Sequence, residues 1–344
     1  MRYKLKPNKW IMRKLFILPV LIVLFSFVKA PEELPECYSH VDQMFWVVTD
    51  MERTLEAYKQ LGFNQFADME IVSISSKTSK TKSTARLVRA NLGGAQVNWI
   101  QPMTGNSVFH EFVRVQGDGA MSLVHRFPSR KDMKKEIRRL KDLGVLVTEK
   151  MTITAGAAEM EYIFMNTAEK GKYTLGFVYG DQGTETFQEL VAENRNGLKL
   201  NQYAFAIEDP EPVSEFWQSL GLPELEIRHP ELGDPMYYGE PADHELIQGW
   251  QRHGDISYEW CIPVKGPIVY SDHINLHGEG IHHLAFSVAD MDQVLEDYTD
   301  RDFVVSMGGN WGENGKPGSG RYEYIDLEKA GGLTMELLWS YQDE

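Results

Sequence analysis

One pattern occurs four times along the chain, and a repeat of this kind strongly restricts the folds that a sequence can adopt. Each copy begins with a short apolar strand and an Asp or Ser at the position that caps a helix. An amphipathic helix comes next, and then a longer stretch that reads as short alternating strands. The strand-to-cap segments are Gln43–Asp50, Ser122–Ser129, Gln202–Asp209 and His283–Asp290.

The repeat predicts an α+β fold built from four β-α-β-β-β units. Two consecutive units form one domain, which gives a first domain at residues 38–181 and a second at 199–344. The polar stretch between them, residues 182–198, is predicted to be a connector. A length of 344 residues suits two domains of ordinary size.

Composition narrows the classes of partner. The chain has 50 acidic and 35 basic residues and a formal net charge of −15, so it repels phosphate backbones and is not expected to bind nucleic acid. Its two cysteines, Cys37 and Cys261, are too few for a dense disulfide framework or a cysteine-rich zinc module. A small molecule is the expected partner.

The N-terminus differs in character from the rest. Residues 1–30 carry seven basic side chains and no acidic one, and Leu15–Val28 is apolar except for Pro19 and Ser26. A basic run followed by a short apolar core is typical of an export signal. We therefore expect residues 1–30 to be a signal peptide or a membrane anchor, with attachment through residues 15–28. The remainder of the chain is expected to work outside the cytoplasm, in the periplasm or as a secreted protein.

Two stretches near the C-terminus carry a family resemblance. They are His273–Asp290, HINLHGEGIHHLAFSVAD, and Tyr322–Trp339, YEYIDLEKAGGLTMELLW. The chain resembles the glyoxalase, bleomycin-resistance and extradiol-dioxygenase proteins, also called the vicinal oxygen chelate superfamily, and in particular its glyoxalase-like and methylmalonyl-CoA epimerase-like members. The resemblance implies two domains with cupped mixed sheets, each formed by two β-α-β-β-β units.

The resemblance also implies where a metal would bind, because the family's ligands lie at the start of the first strand and in the last strand of each unit. In the second domain these positions are Gln202, Glu259, His283 and Glu336. The corresponding positions of the first domain are Gln43, Asn98, Ser122 and Gly176. The offsets are 159 (202 − 43), 161 (259 − 98), 161 (283 − 122) and 160 (336 − 176) residues, as a duplicated domain requires.

These residue types point to metal chemistry in the second domain only. One imidazole, two carboxylates and one amide form a nitrogen and oxygen set that suits one divalent ion of Zn, Ni, Co, Mn or Fe. Ser122 and Gly176 cannot replace a His and a Glu, so the first domain is expected to be a degenerate copy without a metal. Alternation along a strand predicts that His282 faces away from His283.

The expected activity is that of a metal-dependent isomerase, epimerase or lyase. Such an enzyme removes a proton next to a carbonyl of a small hydroxy-carbonyl substrate, with Glu336 or Glu259 as the catalytic base. Two alternatives stay open. One is a non-haem iron dioxygenase, although that chemistry favours two histidines and a carboxylate. The other is a non-catalytic module that binds a small molecule in the cup.

Overall fold

The computed structural model describes residues 34–179, here called the first half, and residues 190–341, the second half. The predicted signal peptide or anchor lies outside the described residues, as does part of the predicted connector. In the two described stretches, no helix has the length and apolar character needed to span a bilayer.

The first half contains the elements of two repeat units, preceded by a 3-10 helix at Glu36–Ser39. In chain order they are β1 (Gln43–Val47), α1 (Met51–Gln60), β2 (Glu70–Ser76), β3 (Lys82–Leu92), β4 (Ala95–Gly105), α2 (Val108–Gln116), β5 (Gly119–Phe127), α3 (Arg130–Asp142), β6 (Val147–Ala155), β7 (Ala158–Met165), α4 (Ala168–Gly171) and β8 (Thr174–Tyr179).

The second half repeats this order with more strands. Its elements are β9 (Lys199–Ala206), α5 (Pro210–Ser219), β10 (Glu226–Arg228), β11 (Leu232–Tyr237), β12 (Glu240–Pro241), β13 (Glu245–His253), β14 (Ile256–Lys265), α6 (Val269–His277), β15 (Gly280–Ser287), α7 (Met291–Thr299), β16 (Val305–Trp311), β17 (Gly320–Leu327), a 3-10 helix (Glu328–Ala330) and β18 (Leu333–Ser340).

The four predicted helices begin at their predicted caps. The side chains of Asp50, Ser129, Asp209 and Asp290 each accept a hydrogen bond from a backbone N–H of the first turn. These bonds satisfy donors that have no partner inside the helix. Pro210 occupies the first helical position of α5, where its missing N–H carries no penalty.

The two halves form sheets of different closure. In the first half, β1 to β8 form a closed barrel in the order β1-β4-β3-β2-β6-β7-β8-β5. In the second half, ten strands form one open sheet in the order β10-β13-β14-β9-β15-β18-β17-β16-β11-β12. The predicted fold class, α+β with two curled sheets, is confirmed, while the exact domain boundaries stay predictions.

The difference in closure comes from one strand position. In the barrel, β2 pairs with β3 on one side and with β6 on the other. In the open sheet its place is taken by two strands, since β10 pairs only with β13 and β11 pairs with β16. The break between them is His229–Glu231, and its central residue, Pro230, has no N–H to offer a strand ladder.

A shared core joins the two halves. The largest apolar cluster contains Trp46 and Trp99 from the first half and Trp217, Phe286 and Tyr298 from the second. Hydrogen bonds cross between the halves in the same region. The Trp46 indole donates to the Gly331 carbonyl at 2.7 Å, and the Tyr298 hydroxyl donates to the Leu61 carbonyl at 3.0 Å.

Candidate metal centre

Strand pairing places the four predicted ligands on neighbouring strands. The strands β14, β9, β15 and β18 are adjacent in the middle of the open sheet, and each carries one of the residues. Glu259 lies opposite Ala204 in the parallel β14–β9 pair, and Glu336 lies opposite Ala285 in the parallel β15–β18 pair. The barrel shows the same register, with Asn98 opposite Phe45 and Gly176 opposite Val124.

The four side chains converge on one buried point, which we call the ligand cluster (Gln202, Glu259, His283 and Glu336). Each is less than 5% exposed. The Gln202 amide nitrogen lies 2.6 Å from Glu259 Oε2 and 3.3 Å from Glu336 Oε2. His283 Nε2 lies 3.2 Å from Glu336 Oε2 and 3.6 Å from Glu259 Oε2. The sequence prediction required these side chains to share a face, and they do.

The charges in the cluster act on one another because water is excluded. Burial lowers the pKa of His283, but hydrogen bonds and charge from Glu259 and Glu336 outweigh it and raise this pKa to about 9. Burial raises the pKa of Glu336, and the bond to His283 offsets only part of that rise. Two carboxylates around one imidazole therefore hold a positive charge at their centre.

This donor set fits a divalent ion. Ligand atoms about 2.1 Å from a metal lie about 3.0 Å apart when they occupy neighbouring positions, close to the separations observed in the cluster. His283 presents Nε2 to the carboxylates, while its Nδ1 lies 2.7 Å from Nδ1 of His282, which supplies the second hydrogen bond usual for a metal-binding imidazole. Gln202 would need a half-turn of its amide to present its oxygen.

Several side chains that support the cluster were not predicted from the sequence. The Gln248 amide donates to Glu259 Oε1 at 2.6 Å. The sulfur of Cys261 lies within 4.8 Å of ligand atoms of Glu259 and His283. The signal for Cys261 was present in the sequence, because residues two apart on a strand share a face and Cys261 follows Glu259 by two.

The prediction that His282 faces away from His283 is wrong. A β-bulge lies between Ile281 and His283, so His282 has no partner opposite it on β9. Its ring contacts the rings of Tyr270, Tyr324 and His283, with centroids 4.9 to 6.3 Å apart. Strand alternation holds only while the ladder is regular, and the bulge interrupts it.

A cavity of about 440 Å³ opens beside the ligand cluster. Gln202, Glu259 and Glu336 form part of its wall. The rest of the wall is mainly apolar and aromatic and includes Trp250, Tyr270, Met307, Trp311, Tyr322 and Tyr324. The gap between β10 and β11 contributes Arg228, His229 and Pro230. A small organic molecule can therefore reach the carboxylates.

The corresponding positions of the barrel form no such site. The Asn98 amide donates to Gln43 Oε1, which also accepts from Tyr162 at 3.0 Å. Ser122 is fully buried. A Cβ at Gly176 would lie 2.7 Å from Val124 Cγ2 and 2.8 Å from Ser122 Oγ, so no larger side chain fits there without rearrangement. These residues fill space and offer no carboxylate.

Comparisons with known proteins agree with this architecture. Residues 201–319 match the sequence family described as the Glyoxalase/Bleomycin resistance protein/Dioxygenase superfamily. No curated protein sequence matches the chain. Among solved structures, a mutant of 4-hydroxymandelate synthase from Streptomyces coelicolor has a TM-score of 0.51 at 15% identity, with 89% of this chain and 94% of that chain covered.

A second structure, BphC, described as a halotolerant catechol dioxygenase, has a TM-score of 0.47 at 11% identity, with 89% of each chain covered. At these identities the structural likeness bears on the fold alone. The match over residues 201–319 spans three residues of the ligand cluster. The resemblance predicted from the sequence is confirmed: residues 201–319 match the glyoxalase, bleomycin-resistance and dioxygenase superfamily.

Proposed function

We propose that the second half is a divalent-metal-dependent isomerase, epimerase or lyase that removes a proton next to a carbonyl of a small hydroxy-carbonyl substrate. The observation that carries this proposal is the convergence of Gln202, Glu259, His283 and Glu336 on one point, where Gln202, Glu259 and Glu336 form part of the wall of an accessible cavity. The ion is Zn, Ni, Co, Mn or Fe, since the donors are one nitrogen and otherwise oxygens. Bound there, it would supply Lewis-acid stabilisation of the negative charge that develops on the substrate oxygen.

The chain's own residues supply the base. Glu259 and Glu336 are the two carboxylates in the wall of the cavity among the described residues. Glu259 has one oxygen held by Gln248 and the other by Gln202. Glu336 shares a single oxygen, Oε2, between Gln202 and His283. Both carboxylates can accept the substrate proton. Glu336, which bonds to the single amide of Gln202 and also receives a hydrogen bond from Tyr324, is the first candidate and Glu259, held by two amides, is the second.

Exchange of a substrate C–H with solvent deuterium tests this assignment. The metal-loaded protein is incubated in D₂O with a panel of small α-hydroxy ketones and aldehydes, and exchange is followed by NMR. We expect deuterium exchange in at least one compound of the panel. The exchange rate should fall by about 100-fold or more in Glu336→Gln or Glu259→Gln, because the amide keeps the shape of the side chain but cannot accept the proton.

Glu323→Gln is the matched control. Glu323 is a buried carboxylate of the same sheet, but it pairs with Arg321 and lies outside the cavity wall. It should exchange at the wild-type rate. Full exchange in both Glu336→Gln and Glu259→Gln would remove these residues from the role of base.

The dioxygenase alternative is decided in the same samples. With iron(II) bound, a dioxygenase consumes O₂ together with substrate, whereas an isomerase or lyase does not. The ligand cluster holds one imidazole, and His282 bonds to His283 instead of facing the carboxylates. O₂ uptake without deuterium exchange would show that the protein is a dioxygenase instead. Binding of a small molecule without O₂ uptake and without deuterium exchange would show that it is a non-catalytic binding module.

We also propose that residues 31–344 act outside the cytoplasm, exported by the basic and apolar segment 1–30. A substrate that occurs outside the cytoplasm follows from this location. Cell fractionation with N-terminal sequencing checks it, and a full-length protein confined to the cytoplasmic fraction would contradict it.

A further inference from the structure

Away from the cavity, one face of α3 concentrates positive charge. Every basic residue on this face is exposed, and they recur at positions that share one side of a helix. We call Arg130, Lys131, Lys134, Lys135, Arg138 and Lys141 the α3 basic face. The opposite side of the helix buries Met133, Glu136 and Leu140, and α3 packs on β5 and β8.

The α3 basic face stands out because the molecule is acidic elsewhere. Residues 190–341 carry 9 basic and 27 acidic side chains, a difference of −18, whereas residues 34–179 carry 19 and 16, a difference of +3. A basic surface on an acidic protein directs the molecule when it approaches a negatively charged partner.

Exposed apolar side chains follow directly at the end of α3. Leu143 is 46% exposed, Leu146 is 49% exposed and Val147 is 38% exposed. Basic residues beside exposed apolar ones are the combination that binds at the interface of an anionic bilayer, where cations meet head groups and apolar side chains enter the acyl boundary.

The N-terminal end of the described chain lies next to α3. Leu34 packs against Gly221, and the carbonyl of the preceding Leu220 accepts a 2.9 Å hydrogen bond from Arg139 of α3. The Tyr38 hydroxyl donates to Glu136 of α3 at 2.7 Å. From Val28, the end of the apolar segment, the chain reaches Leu34 in six residues, which span at most about 22 Å. An anchor retained at residues 15–28 would tether Leu34, and with it the chain beside α3, to a bilayer by a segment of at most that length.

From these observations we propose that the α3 basic face docks on the surface of an anionic phospholipid membrane. Lys131, Lys134, Arg138 and Lys141 pair with lipid phosphates, whereas Arg130 also pairs with Glu161 of β7 at 3.2 Å. The apolar residues Leu143, Leu146 and Val147 contact the acyl boundary.

Residue-resolved lysine labelling on vesicles tests the proposal with the full chain. The protein is bound to vesicles of phosphatidylcholine alone or with phosphatidylglycerol, acetylated briefly, and analysed by mass spectrometry. We expect Lys131, Lys134 and Lys141 to react several-fold more slowly when phosphatidylglycerol is present, and 0.5 M salt (about a 4 Å Debye length) to remove the protection. Equal rates on the two lipids would overturn the proposal.

Charge reversal supplies the variants. Lys131→Glu, Lys134→Glu and Arg138→Glu together should abolish the protection of Lys141, since each cation near an anionic surface contributes roughly fivefold in affinity. The control reverses the exposed Lys59, Lys170 and Lys199, which changes the net charge equally and should keep the protection. Protection of the same lysines by duplex DNA at equal phosphate concentration, as strong as that by the vesicles, would assign the face to nucleic acid instead.

Discussion

The barrel and the open sheet place different side chains at matched positions of their interiors. Inward positions of the barrel hold large apolar residues, whereas the open sheet holds smaller or polar ones. The pairs are Phe45 and Ala204, Ile100 and Cys261, Val124 and Ala285, Phe109 and Tyr270, and Phe164 and Tyr324. One fold in one register therefore serves either as a packed core or as a cavity with two carboxylates in its wall, and the volume of a few side chains decides which.

The second difference lies at the rim. β2 closes the barrel with Val72 and Ile74, which are 0% and 2% exposed. The pairings of β10 and β11 with their neighbours match those of β2 when residues of the two halves are compared at an offset of 158. Arg228 then corresponds to Glu70 (228 − 70) and Leu232 to Ile74 (232 − 74). Pro230 then stands at the place of Val72, where its missing N–H interrupts the pairing and leaves the cavity open. Four predictions test this contrast.

The largest effect concerns the metal. His283→Ala should lower the affinity for a divalent ion by more than the 10- to 100-fold typical of losing an outer-shell partner, because it removes the only imidazole Nε2 that faces both carboxylates in the described residues. Ser122→Ala, at the matched barrel position, should leave the affinity unchanged. Competition with a chromophoric chelator measures both, and an equal metal content in His283→Ala and wild type would place the ion elsewhere.

Side-chain truncation should distinguish the two interiors by stability. Ile74→Ala empties a packed position and should lower the free energy of unfolding by about 2–5 kcal/mol. Leu232→Ala, its counterpart, lines the cavity and is half-buried, so about 1 kcal/mol or less is expected. Urea unfolding compares them, and equal losses would mean that the cavity is as tightly packed as the barrel.

Gly176 tests why the barrel has no counterpart of Glu336. Gly176→Ala puts a Cβ 2.7 Å from Val124 Cγ2, and overpacking of this kind costs about 1–3 kcal/mol. Gly233→Ala in β11 is the control, since its Cβ would meet nothing closer than 3.7 Å. If thermal unfolding shows both variants to be equally stable, close packing is not the reason that this position lacks a side chain.

The smallest effect is a pH dependence of the contact between halves. His277 of the second half bonds the Gln116 carbonyl of the first half and Glu328. The Glu328 hydrogen bond raises the pKa of His277 from its usual 6.5. The protonated form is thus favoured in the folded state. This stabilisation is complete below pH 6.5 and is lost as the pH rises through the raised pKa.

His277→Gln isolates that contribution. Wild type should lose slightly more unfolding free energy than the variant between about pH 6 and pH 9. Parallel curves for the two proteins would show that His277 titrates alike in the folded and unfolded chains.

The fold could be predicted from the sequence to the extent that its signals are local. The caps at Asp50, Ser129, Asp209 and Asp290 need only neighbouring residues to be recognised. The strand start at Gln43 was also predicted correctly, whereas the strands that contain Gln202 and His283 begin three residues earlier, at Lys199 and Gly280. The four residues of the ligand cluster were identified through the family resemblance, and the nearly constant offset between the two halves supported that assignment because offsets are preserved when strands keep their register.

The features that escaped prediction depend on contacts between distant residues. The bulge at His282 has its counterpart at Met121, but a bulge is defined by the partner strand and leaves no local pattern. Closure of one sheet and not the other depends on whether β2 reaches two neighbours at once, which alternation within a strand does not show. Gln248 joins the cluster only because β13 pairs with β14.

Because of where the break at His229–Glu231 lies, substitutions at the edge of the cavity and substitutions in the ligand cluster fall on different parts of the sheet. The ligand cluster is supplied by four central strands, while the break lies between β10 and β11 toward the two ends of the sheet. Substitutions or inserted residues at the break can reshape the entrance without moving a ligand strand. Related proteins can therefore differ in which small molecules enter the cavity while they keep the four residues of the ligand cluster. A search for variants with new substrates would begin at those three residues.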